Sequence, residues 1–381
     1  MRRNLLTAAL SVLCLAAAPL QDAAAQDAIR IGVITDRTGN AAEFARIEEQ
    51  GLELALKEIN AKGGILGRKI QLLYEDDEDK PALSATKARK LSSAGVPIII
   101  QLSSSTSTQQ AEAATLETKT PHIGANQSAD TLVTKLDNPY FFLAGMPGSI
   151  QFKTLIAYTQ QRYKTAAIFT DTSAIAMFIA KTFRAGLEKS GVKIVAYEII
   201  ETGATDAVPQ VQRIRQAKPD VVIDAGNLIS ESATFYRTYR QLGLTYPVIA
   251  SYNKSIPRYL QLVPNLLNGV AFLDCFDQEK PETKAFIEKF KAEFKAEPFS
   301  LAGYGYNALW LVKDAMDRAG STDREKIRAA LEGTKEFPSV LGAKGTVFSF
   351  SAKQRAGFPD KGAVIRLIEN NQHGRAVFSG Y

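Results

Sequence analysis

The chain has 381 residues, of which 45% are hydrophobic and 23% charged, and it carries a formal net charge of +6 with an isoelectric point near 9.0. Its 46 Lys and Arg are interspersed with 40 Asp and Glu, so the excess describes a solvated surface and argues against a nucleic-acid-binding face. Two histidines and two cysteines leave no cluster at metal-ligand spacing, and no metal or cofactor is expected.

The first segment sets the compartment. Arg2 and Arg3 precede an uncharged apolar run, residues 5–18, and Ala23-Ala24-Ala25 supplies small residues for cleavage. Residues 1–25 therefore read as a signal peptide cleaved near Ala25, with the mature chain in the periplasm. The run is shorter than the ~20 residues a membrane-spanning helix needs. Cys14 lies inside it, but the bulky Leu13 before it is a poor lipidation signal. Removal leaves about 356 residues, more than one hydrophobic core usually supports, so two domains are expected. Cys275 is then the one remaining cysteine and cannot form an internal disulfide.

From Ala28 onward short β-branched runs alternate with amphipathic stretches, the pattern of βαβ units around a mainly parallel sheet. Residues 29–34 read as a strand, 48–60 as a helix ended by Gly63-Gly64, 69–74 as a strand, 80–93 as a helix with Pro81 in its first turn, and 96–102 as a third strand. A second series repeats the architecture without repeating the sequence. It has strands at 166–170, 193–200, 221–224 and 246–250 and helices at 174–190, 207–217 and 232–242. Helices at 281–294 and 304–318 and strands at 347–350 and 364–368 complete the chain.

Ligands of doubly wound sheets bind beyond the carboxyl ends of the strands, so the loops after strands carry the chemistry. Five such loops stand out: Thr35-Asp36-Arg37-Thr38-Gly39 leading to Phe44, the hydroxyl run Ser103 to Thr108, Gly124-Ala125-Asn126-Gln127-Ser128, Asp171-Thr172-Ser173-Ala174-Ile175, and Ala225-Gly226-Asn227. The hydroxyl run fits a strand-to-helix junction where side-chain hydroxyls and free amides seat an anion; an ordinary helix cap is the alternative. Phe44 reads either as a pocket wall or as a core aromatic. His122, between Pro121 and Ile123, reads as structural. Ser84-Ala85-Thr86-Lys87 lacks the companion motifs of a serine acylase, and no nucleophile elbow, dinucleotide fingerprint or P-loop is complete.

These residues resemble the periplasmic binding proteins of the leucine/isoleucine/valine type, which serve ABC importers. The most specific stretch runs from Gly51 to Pro81 and includes Glu58-Ile59-Asn60-Ala61-Lys62-Gly63-Gly64-Ile65-Leu66-Gly67-Arg68 and Tyr74-Glu75-Asp76-Asp77. Lys218-Pro219-Asp220-Val221-Val222, Gly243-Leu244 and Tyr304-Gly305-Tyr306-Asn307-Ala308 follow in the family's order. The resemblance implies an α/β type I periplasmic binding protein fold, with two Rossmann-like lobes joined by a three-crossing hinge. The implied N-terminal lobe is residues 26–144 plus 275–350, and the C-terminal lobe 145–274 plus 351–381. Crossings are expected near Ala144-Gly145, near Cys275 and after Phe348.

The resemblance also implies a ligand site. Ser105 falls on the position that holds the ligand carboxylate, Thr106 and Ser107 continue the match, and Ser128 completes the carboxylate site. Asn126 and Gln127 replace small residues beside it, and Phe44 replaces a common Tyr. In the second lobe Ile175 and Asn227 stand where Tyr is common, and no carboxylate occupies Ser251-Tyr252-Asn253, where the acid for an amino acid's ammonium is expected. An unpaired ammonium in a closed cleft is costly, so the expected ligand is a small carboxylate-bearing solute, an aromatic or aliphatic acid without an ammonium, with an amino acid as the alternative and with Phe44 and Tyr252 flanking its body. Asp224 is the main threat to this expectation, since a small backbone shift would let it serve as the missing anion. The expected role is a monomeric, non-enzymatic solute-binding component of an ABC importer, with membrane permease subunits as partners and no nucleic acid. A periplasmic sensor for an amide- or urea-type solute is the alternative; an enzyme is disfavoured by the missing motifs.

Overall fold

The computed structural model describes residues 28–39, 41–134 and 137–381, so the expected signal peptide, with Cys14, lies outside the described residues. The first sheet holds five parallel strands, β1 (Ile29–Thr35), β2 (Ile70–Asp76), β3 (Ile99–Gln101), β4 (His122–Gly124) and β5 (Phe141–Leu143), in the order β2-β1-β3-β4-β5. Helices α1 (Ala42–Ala61), α2 (Pro81–Ser93), α3 (Ser105–Glu117) and the short α4 (Thr131–Thr134) connect them.

After helix α5 (Gly148–Gln160) comes a second sheet. Its strands are β6 (Thr165–Asp171), β7 (Lys193–Ile200), β8 (Val221–Asp224), β9 (Val248–Ala250), β10 (Ala271–Asp274), β11 (Val364–Glu369) and β12 (Gln372–Ser379), in the order β12-β11-β10-β9-β8-β6-β7. β6 to β10 are parallel, while β11 and β12 add antiparallel strands at one edge. The parallel core β7-β6-β8-β9-β10 repeats the order of the first sheet, as the two-series reading predicts. Helices α6 (Ala174–Lys189), α7 (Val208–Ala217), α8 (Ile229–Gln241) and α9 (Pro257–Leu262) and a 3-10 turn over Tyr252–Ser255 belong to this half.

Three late helices, α10 (Pro281–Phe294), α11 (Ser300–Ala319) and α12 (Arg324–Glu332), lie between β10 and β11 in sequence. They return to the first half. Arg324 reaches the carbonyls of Ser92, Val96 and Thr118, and Tyr140 donates to Glu325 at 2.9 Å. α11 packs so closely along α1 that a Cβ at Gly51 would sit 1.8 Å from the Ala302 carbonyl oxygen, and one at Gly305 would sit 2.0 Å from that of Glu48. Glycine at both positions lets the two backbones touch.

Several boundaries differ from the sequence reading. α1 begins at Ala42 instead of 48, which places Phe44 inside the helix, and α8 begins at Ile229 instead of 232. Only residues 99–101 of the expected strand 96–102 pair as β3, since Pro97 has no N–H to donate. The expected strand at 347–350 does not form. Phe348 exchanges two backbone hydrogen bonds with Phe337, 2.9 and 3.0 Å, as a single bridge, and its neighbours find no ladder. The alternation there comes from Phe348 and Phe350 turning into the core beneath a loop.

Candidate ligand-binding site

In a doubly wound sheet a crevice opens where the strand order reverses. The reversals lie between β1 and β3 in the first sheet and between β6 and β8 in the second. The loops that follow these four strands are four of the five singled out from sequence, and the fifth follows β4.

On the first half the hydroxyl run forms the start of α3. Ser104 is the N-cap: its Oγ accepts from the Ser107 amide at 3.3 Å, its carbonyl accepts from the Thr108 amide at 2.9 Å, and its own amide donates to Asp79 at 3.0 Å. Ser105 and Thr106 are thus the first two helical residues, whose N–H groups have no carbonyl one turn back. Ser105 Oγ accepts from the Ala129 amide at 3.3 Å, joining this helix start to the loop after β4. In that loop Ser128 is exposed, and its carbonyl accepts from Gly148 at 2.7 Å. Two expected site residues turn away. Ser107 is fully buried with its amide spent on the cap, and Gln127 is buried with its amide donating to the Ser103 carbonyl at 2.6 Å. Both brace the loops from inside. Asn126 lies between, half-buried, donating to Glu48 Oε1 at 2.5 Å and to the Leu102 carbonyl at 3.3 Å.

On the second half a buried carboxylate organises each loop. Asp171, at the end of β6, accepts from the amides of Ser173 at 2.9 Å, Asn227 at 2.6 Å and Leu228 at 2.8 Å, and from the Ser173 hydroxyl. Asp224, at the end of β8, accepts from the Gly226 amide at 2.9 Å and from the Tyr236 hydroxyl at 2.7 Å. It also pairs with Lys254 at 2.9 Å, both side chains being wholly buried. The ammonium of Lys254 further reaches Ser232 Oγ at 3.1 Å and lies over the Tyr259 ring, 4.4 Å from its centroid. Burial alone would lower the lysine's pKa, but the Asp224 charge beside it holds it above the usual value. Asp224 thus has an internal counter-charge and two internal donors. Asn253 donates to Asn227 Oδ1 at 2.8 Å, so these two expected site residues lie together. Ile175 stands 49% exposed on the first turn of α6, beside Phe178 at 59%.

Side-chain contacts near these loops also link the halves. The Tyr252 hydroxyl meets Ser300 Oγ at the start of α11 at 2.7 Å, and Arg258 lies 3.4 Å from Glu43. Phe44 lines a cavity of about 610 Å³ whose other wall includes Ala204, Ile229, Arg237 and Arg258, so it faces the second half. Cys275, where the chain leaves β10 for α10, is buried with its sulfur 3.3 Å from the Tyr304 hydroxyl, and burial raises its thiol pKa.

Two residues were missed from sequence. Lys254 left no signal, because lysine in a loop reads as solvated. Glu48 did leave one: the buried stripe of α1 runs Ala45, Glu48, Leu52, Ala55, Ile59, and an acid on an apolar stripe marks a special position.

The geometry has counterparts among known proteins. A profile of the periplasmic binding protein family matches residues 28–360. The Leu/Ile/Val-binding protein BraC3 of Rhizobium johnstonii is 28% identical over 342 residues, covering 88% of this chain and 91% of that protein. The branched-chain amino acid transporter substrate-binding protein LivJ of Streptococcus pneumoniae, solved with isoleucine, has a TM-score of 0.76 at 22% identity, over 93% of this chain and 99% of that one. An ABC transporter substrate-binding protein of Sphaerobacter thermophilus has a TM-score of 0.79 at 21% identity, over 93% and 98% of the two chains. With its repeated sheets and a profile match along most of its length, the chain belongs to the periplasmic binding protein family and has the type I fold of two Rossmann-like lobes joined by a three-crossing hinge.

Proposed function

We propose that the chain is the extracytoplasmic solute-binding component of an ABC importer and that it captures a small carboxylate-bearing solute without an α-ammonium, such as an aliphatic or aromatic acid. The observation that carries this is the pairing of Asp224 with Lys254, 2.9 Å apart and sealed from solvent, which removes the acid best placed to receive an ammonium. Asp171 is likewise committed to amides of its own lobe. The carboxylate is received by the helix start at Ser105 and Thr106 with Ser128 opposite, where hydroxyls and first-turn amides meet the positive end of the α3 dipole. Lobe closure over the solute is the signal a permease reads. No bond is made or broken.

A second reading, capture of a branched-chain amino acid, is favoured by the name of the Rhizobium johnstonii relative. Isothermal titration of the mature protein with matched acids and amino acids separates the two. Binding of free acids with no response to leucine, isoleucine or valine supports the first reading; the reverse selects the second. Ser105→Ala tests the carboxylate seat. Loss of a hydroxyl bonded to a charged group costs about 1.5 to 3 kcal/mol, or roughly tenfold or more in Kd, and unchanged affinity refutes the assignment.

A further inference from the structure

Glu48 has a side chain that the fold leaves half satisfied. Its exposure is zero, its Oε1 accepts from Asn126 Nδ2 at 2.5 Å, and its Oε2 has no partner among the described residues. Asn126 Oδ1, beside it, is unpartnered too. Burial pushes the carboxyl well above the usual carboxylate range, against the lowering effect of the Asn126 bond, and neighbouring Glu49 adds to the rise. Glu49 cannot relieve Glu48, being itself paired with Arg37 at 2.9 Å. Oε1 is already an acceptor, so a proton carried by this acid belongs on Oε2. With its pKa raised by burial the carboxyl favours the protonated form, and an O–H at Oε2 finds no acceptor among the described residues.

Its place in the fold is specific. Glu48 is one helical turn after Phe44, its partner Asn126 is two residues before Ser128, and Tyr252 of the opposite lobe is within electrostatic reach of it. Of the expected site residues, Asn126 thus bonds this buried acid directly and Tyr252 stands within its electrostatic reach.

We propose that Glu48 is a specificity-determining residue that donates a hydrogen bond from Oε2 to an oxygen on the carbon next to the ligand carboxylate, so that the solute class is the 2-oxo acids. The proposal rests on the carboxylate reading given above. In this proposal the carboxylate is received at Ser105 and Ser128, and the carbon next to it is directed to the side of the loop where Asn126 meets Glu48 of α1. A carbonyl oxygen there accepts from Glu48 and satisfies it. An ammonium there donates where the site already presents a donor, and a methylene leaves the donor unpaired. Tyr252 is held across the lobe junction by Ser300 at 2.7 Å, and the proposal requires it to shift for the solute to reach Oε2.

The test uses compounds that differ only at that carbon. The mature protein is titrated with 4-methyl-2-oxopentanoate, 4-methylpentanoate and leucine, and with phenylpyruvate, 3-phenylpropanoate and phenylalanine. The expected result is that one oxo acid binds at least tenfold more tightly than its deoxy partner and its amino acid. Glu48→Ala collapses the oxo-to-deoxy ratio toward one, and Glu48→Gln, which keeps a neutral donor, restores it. Should Glu48→Ala not fold, Asn126→Ala at its half-buried loop position removes the group that orients Glu48 and lowers the same ratio. Equal binding of oxo and deoxy acids overturns the proposal while leaving the carboxylate reading intact. Tightest binding of leucine or phenylalanine, with loss in Glu48→Gln, overturns it by making Glu48 an ionised counter-ion. Binding of none of the six overturns both readings.

Discussion

Replacing Lys254 by Met tests whether the buried ion pair holds the second-lobe loops. The lysine has four neighbours to lose: Asp224 at 2.9 Å, Ser232 Oγ at 3.1 Å, the Gly226 carbonyl at 3.5 Å and the face of Tyr259 at 4.4 Å. The apolar part of Met fills most of the same volume, so the main loss is the charge opposite Asp224. An uncompensated buried charge left by removing one partner costs about 3–5 kcal/mol. The Gly226 amide and Tyr236 hydroxyl still bond Asp224, which places the expectation near the lower end, about 3 kcal/mol. For a lobe of this size that corresponds to roughly 6–12 °C in Tm. Urea unfolding followed by far-ultraviolet circular dichroism measures it. Lys254→Met with Asp224→Asn removes both charges and is expected to recover at least half of the loss. A cost below about 1 kcal/mol for the single variant, or a double variant as unstable as the sum of the two singles, would refute the reasoning. The same variant loosens the register between residues 224–227 and 251–255, so solute affinity falls with stability.

Two further outcomes follow from packing and titration. Gly305→Ala drives a methyl to within 2.0 Å of the Glu48 carbonyl, and the overpacking cost of about 1–3 kcal/mol exceeds the helix-propensity gain, so differential scanning calorimetry should show a lower Tm, an unchanged Tm contradicting the close approach of α1 and α11. His122 is fully buried, and burial lowers its pKa to about 3, so it stays neutral in the fold while the unfolded chain takes up a proton below ~6.5. Its contribution is present above pH 6.5 and lost as the pH falls, about 2 kcal/mol of it by pH 5. His373, lowered to about 4 by burial first and then by Arg366, acts in the same direction. His122→Gln should flatten the fall in stability between pH 7 and pH 5, and an unaltered slope would exclude the assignment.

Much of the fold was legible because periodicity reports burial. β7, β8 and α10 have the very bounds that the sequence pattern assigns, each being a run whose apolar spacing has one interpretation. The 347–350 segment failed for the converse reason: its alternating aromatics satisfy the core, while the backbone partners that make a strand are a tertiary matter. For the candidate site, position after a strand placed the loops in the fold but left the direction of their side chains open. Gln127 and Ser107 turned inward because each has a buried partner or core position that only the assembled lobe supplies. The Asp224–Lys254 pair joins residues 30 apart in sequence, and no local pattern announces it.

The seclusion of Cys275 has a practical consequence. A thiol shut away from water and kept protonated reacts slowly with alkylating dyes, and Cys275 is the one cysteine among the described residues. A cysteine introduced at Ile175, half exposed on the first turn of α6, would then be the reactive handle among the described residues, and an environment-sensitive fluorophore attached there would convert a movement of the lobes into an optical signal. The protein is in this sense already prepared as the scaffold of a reagentless sensor for its own solute.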